Sequence, residues 1–293
     1  MSVLRPLSGT GADAVFLACF AAFFTLPFVC YLGLAKTGAV KLPTSKRGGA
    51  GRRLLGPLLI GYYYWLLGPL NQLVGRTQLR PNQVTVASLG VALLTAVAIA
   101  TGHFSLASTL LIAGATLDIV DGQLARSTGL STASGAFLDS TLDRIADGVI
   151  FGGCVVYYSG TWMMFVSLLA LMMSFTVSYA RSRGEGLGVL GAEGLMQRAD
   201  RIAVLGIALA FSAFFGHRTE GFVPHPFYGL TAGALCLIAA LNTATAIARI
   251  RWTMRRLAEA SPPAELQPPS LEEQVEPLRR AVAGGTTLFG EEV

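Results

Sequence analysis

Long apolar stretches alternate with short polar connectors along this chain, and their lengths predict membrane-spanning helices. A helix that crosses a bilayer needs roughly 20 mostly apolar residues. Seven stretches meet this requirement, at about residues 14–35, 83–102, 105–125, 136–157, 162–180, 201–216 and 227–248. The pattern therefore predicts an all-α integral membrane protein.

The segments outside these spans differ in composition. Residues 36–53 are basic and rich in Gly, Pro and Ser, as in a flexible linker. Residues 54–80 are aromatic and flanked by Gly-Pro pairs, which favours an amphipathic helix lying in the membrane interface. We expect an N-terminal transmembrane helix with its linker, an interfacial helix, a six-helix membrane domain and a flexible tail, at residues 1–53, 54–80, 81–256 and 257–293.

Composition agrees with a membrane protein. Hydrophobic residues make up 53% of the chain and charged residues 13%, and the mean hydropathy is +0.57. The first apolar stretch is too long for a signal-peptide core and lacks a basic leading region, so we expect it to be retained. The four cysteines lie singly in apolar stretches, which indicates packing rather than a metal or disulfide role.

The distribution of basic residues predicts the orientation in the membrane. Residues 36–80 carry eight basic residues and no acidic one, and residues 181–201 and 249–256 carry four basic residues each. The connectors on the opposite side carry almost none. The positive-inside rule places the basic connectors in the cytoplasm and the N-terminus outside. The net charge of +5 therefore reflects topology, and we expect no nucleic-acid partner.

Four aspartates stand out in this apolar chain. Asp118 and Asp121 are three residues apart, and Asp139 and Asp143 are four apart, so each pair shares one helix face. The short connector at residues 127–134 predicts that the two helices are antiparallel neighbours, with both pairs at one depth near the cytoplasm. Carboxylates at a membrane edge are costly without compensation. Hard oxygen ligands suit Mg²⁺ or Mn²⁺, and four negative charges favour two ions.

The aspartates also admit other interpretations. A lone Asp-x-x-Asp-Gly is more typical of a turn or a helix cap. Intramembrane acids also line the pathways of cation transporters, but a pathway predicts carboxylates spread through the depth of the membrane. A catalytically silent lipid-binding or assembly protein is a further alternative, and the intact Asp143 argues against it.

The aspartates form part of a longer spacing that resembles the signature of the CDP-alcohol phosphotransferases: Asp118-x2-Asp121-Gly122-x2-Ala125-Arg126-x8-Gly135-x3-Asp139-x3-Asp143. The resemblance extends from about Pro81 to about Arg251. It implies a six-helix bundle, to which this chain adds one N-terminal transmembrane helix. It also implies metal-dependent transfer of a phosphatidyl or similar group from a CDP-linked donor to a hydroxyl, with release of CMP.

The resemblance implies roles for individual residues. Asp118, Asp121 and Asp139 would hold two divalent cations, and Asp143 would share in ligation and act as the general base. Gly122 and Arg126 would contact the CDP donor, with Thr132 as a further candidate. Asn82 and Thr85 stand in a Pro-Asn-x-x-Thr box, which in the family contributes to the nucleotide site. Proline at a helix start is common in any helix, so this box alone is weakly specific.

Arginines between the fifth and sixth of the seven predicted spans suggest a phosphorylated acceptor. Arg181, Arg198 and Arg201 are expected at the cytoplasmic face, where guanidinium groups could bind a phosphate. The segment resembles phosphatidylinositol-phosphate synthases, although Arg181 replaces a usual Lys. Glycerol 3-phosphate would satisfy the same arginines, and the positive-inside rule alone could also account for them.

The resemblance completes the list of expected partners and the location. The donor would be CDP-diacylglycerol and the acceptor a soluble alcohol such as inositol phosphate, with membrane lipids around the helices. We further expect a homodimer in the bacterial inner or plasma membrane, with the active site facing the cytoplasm.

Overall fold

All regular elements in the described part of the chain are α-helices. The computed structural model describes residues 10–37, 57–69, 74, 77, 79–130, 132–191, 194–215, 229–260 and 275–276. The helices in chain order are α1 (Thr10–Lys36), α2 (Pro57–Leu66), α3 (Pro81–Ala100), α4 (Phe104–Thr128), α5 (Ala133–Tyr157), α6 (Met163–Gly186), α7 (Arg198–Phe215) and α8 (Gly229–Ala260). The chain divides into two compact units, Met1–Ile250 and Arg251–Val293.

These helices confirm the predicted all-α membrane architecture. Among the described residues, α3, α4, α6 and α8 are long and apolar enough to cross a bilayer. The other three predicted spans coincide with α1, α5 and α7, and their crossing of the membrane stays a prediction. The last helix is longer than predicted and continues to Ala260. The division into four parts with a catalytic membrane domain at residues 81–256 also stays a prediction.

Local sequence signals set the ends of the helices that carry the aspartates. Helix α3 begins with Pro81, and the backbone N–H of Arg80 donates to the Gln83 side chain at 2.9 Å. Helix α4 ends before Gly129, whose φ of 69° lies in the left-handed region that glycine tolerates. Helix α5 begins after Thr132, whose Oγ1 accepts a 3.0 Å hydrogen bond from the Gly135 N–H.

Helix α3 is the shared packing partner of the two aspartate-bearing helices. It packs along both α4 and α5, while α4 also packs on α7 and α5 on α6. A Cβ at Gly153 of α5 would lie 2.6 Å from the Ala96 carbonyl oxygen of α3, so glycine allows this close approach. Direct neighbours were predicted for α4 and α5; instead they approach each other closely at few points. Side chains can therefore project into the space between their ends.

Polar side chains join other helices inside the bundle. The Ser108 hydroxyl of α4 donates to the Gly206 carbonyl of α7 at 2.9 Å. The Asn242 amide of α8 donates to the Ser174 hydroxyl of α6, also at 2.9 Å. Such bonds satisfy polar groups that could not reach water in a membrane. The surrounding apolar core includes Ile99, Phe104, Leu111, Phe151, Met163, Leu209, Leu235 and Ile238.

The N-terminal helix packs on α2 and α7. Aromatic rings connect α1 and α2: the Tyr31 and Tyr62 centroids lie 5.7 Å apart, and those of Tyr31 and Trp65 lie 5.6 Å apart. The Tyr63 hydroxyl shares a 2.7 Å hydrogen bond with Thr116 of α4. The segment predicted to be interfacial therefore begins as a helix attached to the bundle.

The described part of the second unit is the end of α8 together with residues 275–276. The Arg256 guanidinium lies 5.6 Å from the centroid of the Trp252 ring and 3.3 Å from a Glu259 carboxylate oxygen. Of the predicted flexible tail, residues 257–260 are helical within α8 and residues 275–276 are described; the rest lies outside the described residues.

Candidate active site

Three of the four predicted aspartates converge on one point. Asp118 and Asp121 near the end of α4 and Asp139 near the start of α5 each offer a carboxylate oxygen, and these oxygens lie within 4.8 Å of one another. Asp121 is buried and the other two are partly exposed. Three such carboxylates repel one another strongly unless a cation neutralises them. Their hard oxygen atoms fit Mg²⁺ or Mn²⁺.

Helix α3 supports this carboxylate trio (Asp118, Asp121 and Asp139) through a buried hydroxyl. The Thr85 Oγ1 donates a 2.6 Å hydrogen bond to Oδ2 of Asp121. Both side chains are buried, so the bond restrains the orientation of the Asp121 carboxylate. Thr85 was predicted to contact the nucleotide; in this structure it orients a carboxylate.

The other predicted donor-site residues lie near two glycines. The Arg126 guanidinium folds back toward Gly122, where an added Cβ would meet its Nη1 at 3.3 Å. At the start of α5, a Cβ on Gly135 would lie 3.1 Å from the Thr132 hydroxyl and 3.3 Å from the Asn82 amide oxygen. The structure thus brings Asn82, Thr132 and Gly135 together, as it does Gly122 and Arg126.

Asp143 lies outside the carboxylate trio and forms an ion pair instead. Arg198, the first residue of α7, places its Nη1 at 2.7 Å from Oδ2 of Asp118 and 2.9 Å from Oδ1 of Asp143. Its Nε donates to Oδ1 of Asp147 at 3.2 Å. Arg198 was predicted to bind an acceptor phosphate, and here a single guanidinium joins α7 to the aspartates of α4 and α5.

Asp147 is a site residue that sequence reasoning missed. It is 4% exposed, and its second oxygen accepts a 2.9 Å hydrogen bond from Nη2 of Arg201. Arg201 is itself 2% exposed, and its Nε and Nη1 have no partner among the described residues. The available signal was spacing, because Asp147 follows Asp143 by four residues and shares its helix face.

Arg249 of α8 is a second residue that was missed. It is buried, its Nη1 donates to the Val177 carbonyl at 2.9 Å, and its Nε is unpartnered among the described residues. None of the ion pairs between described residues involves Arg249. The charges of Arg181, Arg201 and Glu185 act on it electrostatically. Sequence analysis explained Arg249, together with the other basic residues at 249–256, by the positive-inside rule alone.

Arg181, the third predicted acceptor residue, is exposed near the end of α6. Its Nε lies 2.8 Å from a carboxylate oxygen of Glu185, one turn later in the same helix. An exposed pair of this kind is weak. Arg181 is therefore available to bind an anion that reaches the exposed end of α6.

Comparison with known proteins gives a family match and relatives whose names agree with that family. A family model described as CDP-alcohol phosphatidyltransferase matches residues 78–248. A phosphatidylinositol phosphate synthase of Streptomyces avermitilis is 31% identical over 229 residues, covering 74% of this chain and 92% of that protein. An archaetidylinositol phosphate synthase of Methanothermobacter thermautotrophicus is 34% identical over 188 residues, covering 64% of this chain and 90% of that protein.

Solved structures share the fold. The crystal structure of Mycobacterium tuberculosis phosphatidylinositol phosphate synthase with CDP-DAG bound aligns with a TM-score of 0.55 at 24% identity, over 68% of this chain and 96% of that chain. The same enzyme in complex with manganese and citrate aligns with a TM-score of 0.56 at 24% identity, over 68% of this chain and 91% of that chain.

The Thr85–Asp121 hydrogen bond generates a prediction about metal affinity. Thr85→Val removes the donor but keeps the side-chain shape, so Asp121 loses its orientation. We expect the Mn²⁺ dissociation constant to rise roughly tenfold, as for other residues that orient metal ligands. Titration of the purified protein followed by electron paramagnetic resonance measures it.

Thr95→Val is the matched control. Thr95 is buried on the same helix and donates to the Val91 carbonyl at 2.8 Å, away from the aspartates. Equal Mn²⁺ affinities in the two variants would contradict a role for Thr85 at the metal site.

Proposed function

The chain belongs to the CDP-alcohol phosphatidyltransferase family, and we propose that it transfers a phosphatidyl group from CDP-diacylglycerol to a hydroxyl of a phosphorylated polyol, releasing CMP. It is an integral membrane transferase of phospholipid biosynthesis that uses divalent cations. The observation that carries the proposal is the carboxylate trio, with its oxygens within 4.8 Å. In addition, the buried Arg201 and Arg249 keep N–H groups that have no partner among the described residues.

The donor is proposed to lie over the carboxylate trio. A CDP-linked lipid carries a pyrophosphate, which needs positive charge and close backbone approach. Arg126 can supply a guanidinium to a phosphate, and Gly122 offers no side chain to obstruct it. Asn82 and Thr132 offer polar atoms at the start of α5 for the nucleotide. The structure of the M. tuberculosis enzyme with CDP-DAG bound supports this choice of donor.

The carboxylate trio is proposed to hold two divalent cations, Mg²⁺ or Mn²⁺, with Asp143 as an additional ligand. When bound, such ions neutralise the pyrophosphate and stabilise charge on the leaving CMP. Asp118, Asp121 and Asp139 supply the oxygens, and Thr85 orients Asp121. The M. tuberculosis enzyme in complex with manganese offers a parallel.

Asp143 is proposed to be the general base. It is partly exposed and lies beside the carboxylate trio. Its carboxylate accepts the proton of the acceptor hydroxyl, whose oxygen then attacks the β-phosphorus of the donor. The new oxygen–phosphorus bond forms as the bond to the CMP oxygen breaks, and CMP leaves with the electron pair. No covalent enzyme intermediate is required.

Asp143→Asn tests the general base and the proposed reaction together. The purified enzyme with Mg²⁺ or Mn²⁺ and CDP-diacylglycerol should release CMP when a suitable acceptor is added. Because an amide cannot take the proton, we expect kcat of the variant to fall roughly 10²- to 10⁴-fold.

The acceptor panel should contain inositol phosphate, glycerol 3-phosphate, inositol and serine. Absence of CMP with every acceptor would refute the proposed function. Full activity of Asp143→Asn would refute the role of Asp143 alone. Preference for glycerol 3-phosphate over inositol phosphate would change the acceptor and leave the chemistry unaltered.

Besides Arg198, three arginines are proposed to bind the phosphate of the acceptor. Arg201 and Arg249 are buried guanidinium groups with N–H atoms that lack partners among the described residues. Burying such donors is costly unless an anion completes their hydrogen bonds. Arg181, exposed at the end of α6, can add a third positive charge. The two inositol phosphate lipid synthases among the relatives favour an inositol phosphate.

Arg249→Gln tests the acceptor site. Glutamine can still donate to the Val177 carbonyl, but the positive charge is lost. Since a hydrogen bond to a charged group contributes about 1.5–3 kcal/mol, we expect KM for the phosphorylated acceptor to rise roughly 10- to 100-fold, with KM for CDP-diacylglycerol little changed. Steady-state CMP release measures both constants.

Arg251→Gln is the control, because Arg251 is an exposed arginine two residues later on α8. An equal rise in acceptor KM for both variants would indicate a general charge effect and would rule out a phosphate contact by Arg249.

The orientation and assembly are proposals of the same kind. The positive-inside distribution supports an active site that faces the cytoplasm of a bacterial cell. Single cysteines introduced near Arg126 should then react with impermeant thiol reagents only in inside-out vesicles.

We also propose a homodimer, which should show twice the monomer mass in light scattering corrected for detergent.

A further inference from the structure

Arg198 contacts two carboxylates that the proposed cations also need. Its Nη1 lies 2.7 Å from Asp118, a member of the carboxylate trio, and 2.9 Å from Asp143, a proposed additional ligand. A guanidinium and a divalent cation compete for the negative charge of the same two carboxylates. Cation binding therefore weakens the hold of Asp118 and Asp143 on Arg198.

Asp147 differs from the other aspartates that Arg198 contacts. It stands outside the carboxylate trio, it is buried, and both of its oxygens are occupied by arginines. Oδ1 accepts from Nε of Arg198 at 3.2 Å, and Oδ2 accepts from Nη2 of Arg201 at 2.9 Å. The contact with Arg198 uses a different nitrogen from the one that touches Asp118 and Asp143. It can therefore persist when Nη1 loses its partners.

We propose that Asp147 is a positioning residue that retains Arg198 beside Arg201 when divalent cations take Asp118 and Asp143. Without Asp147, a displaced Arg198 would be a half-buried cation with no carboxylate partner, which is strongly unfavourable. With Asp147, the displaced guanidinium keeps one ion pair and its Nη1 becomes free to bind an anion. Cation binding would thus prepare the acceptor-phosphate site. The inference rests on the metal site of the proposed function.

A double-mutant cycle in Mn²⁺ affinity tests this role. The four proteins are the wild type, Asp147→Asn, Arg198→Gln and the double variant, each titrated with Mn²⁺ alone in detergent and followed by electron paramagnetic resonance. We expect Asp147→Asn to raise the Mn²⁺ dissociation constant roughly tenfold. Arg198→Gln should lower the constant, because the competing guanidinium is absent. The double variant should match Arg198→Gln within about twofold.

The cycle separates positioning from long-range electrostatics. If Asp147 acted only as a nearby negative charge, Asp147→Asn would weaken Mn²⁺ binding by the same factor in both backgrounds. That result would overturn the proposal, and so would an unchanged affinity of Asp147→Asn in the wild-type background. A wild-type protein that bound no Mn²⁺ would overturn it as well.

Asp200→Asn is the matched control. Asp200 is buried on α7, and its side chain accepts a 2.9 Å hydrogen bond from the Gln197 N–H without forming an ion pair with Arg198. Its substitution removes a buried negative charge of the same kind, and we expect the Mn²⁺ dissociation constant to change less than threefold. A change as large as that of Asp147→Asn would again indicate general electrostatics.

A second variant covers the case in which Asp147→Asn does not fold. Asp147→Glu keeps the charge but displaces the carboxylate, and thermal unfolding shows whether the protein is intact. It should weaken Mn²⁺ binding when Arg198 is present and leave it unchanged in Arg198→Gln; equal effects in both backgrounds would count against the proposal. Because no donor or acceptor is used, failure of the proposed reaction would be detected separately, by CMP release.

Discussion

The compensation of negative charge at the ends of α4 and α5 is the constraint on which the site depends. Four aspartates that lie close together would repel one another in a largely apolar bundle. In this structure the Arg198 guanidinium supplies the compensating charge through ion pairs of 2.7 and 2.9 Å to Asp118 and Asp143. Removing one partner of such a network leaves a partly buried charge uncompensated, so the ion pairs favour one arrangement of α4, α5 and α7.

The packing of α3 converts that constraint into a shaped site. Helix α3 packs along both α4 and α5 and is their shared support, and carboxylate oxygens from these two helices lie within 4.8 Å of one another. Gly153 permits close contact with the backbone of α3, and Thr85 reaches from α3 to Asp121. The same helix therefore sets the spacing of the two aspartate-bearing helices and the direction of one carboxylate. Catalysis by positioned charge requires this kind of rigid support.

The arginines form a second layer that connects the proposed metal and acceptor sites. Arg198 contacts the aspartates, Asp147 links Arg198 to Arg201, and Arg249 lies buried near them without an acidic partner among the described residues. Positive charge needed by a phosphate is therefore held in place by negative charge needed for cations. An enzyme that joins an anionic donor to an anionic acceptor needs positive charge at both sites, because the two substrates would otherwise repel each other.

The sequence alone determined the helices, the class of protein and the aspartate signature, because apolar length, i,i+3 and i,i+4 spacing and helix-end residues are local properties. It also led to the family and to most of the candidate residues. Only the tertiary structure decided that Arg198 pairs with residues 80 and 55 positions away in the chain and that Thr85 donates to Asp121. It also decided that Asp147 pairs with Arg198 and Arg201, and that Arg249 is buried and donates to the Val177 carbonyl. Those contacts depend on which helices pack together, and helix periodicity carries no information about the partner of a given face.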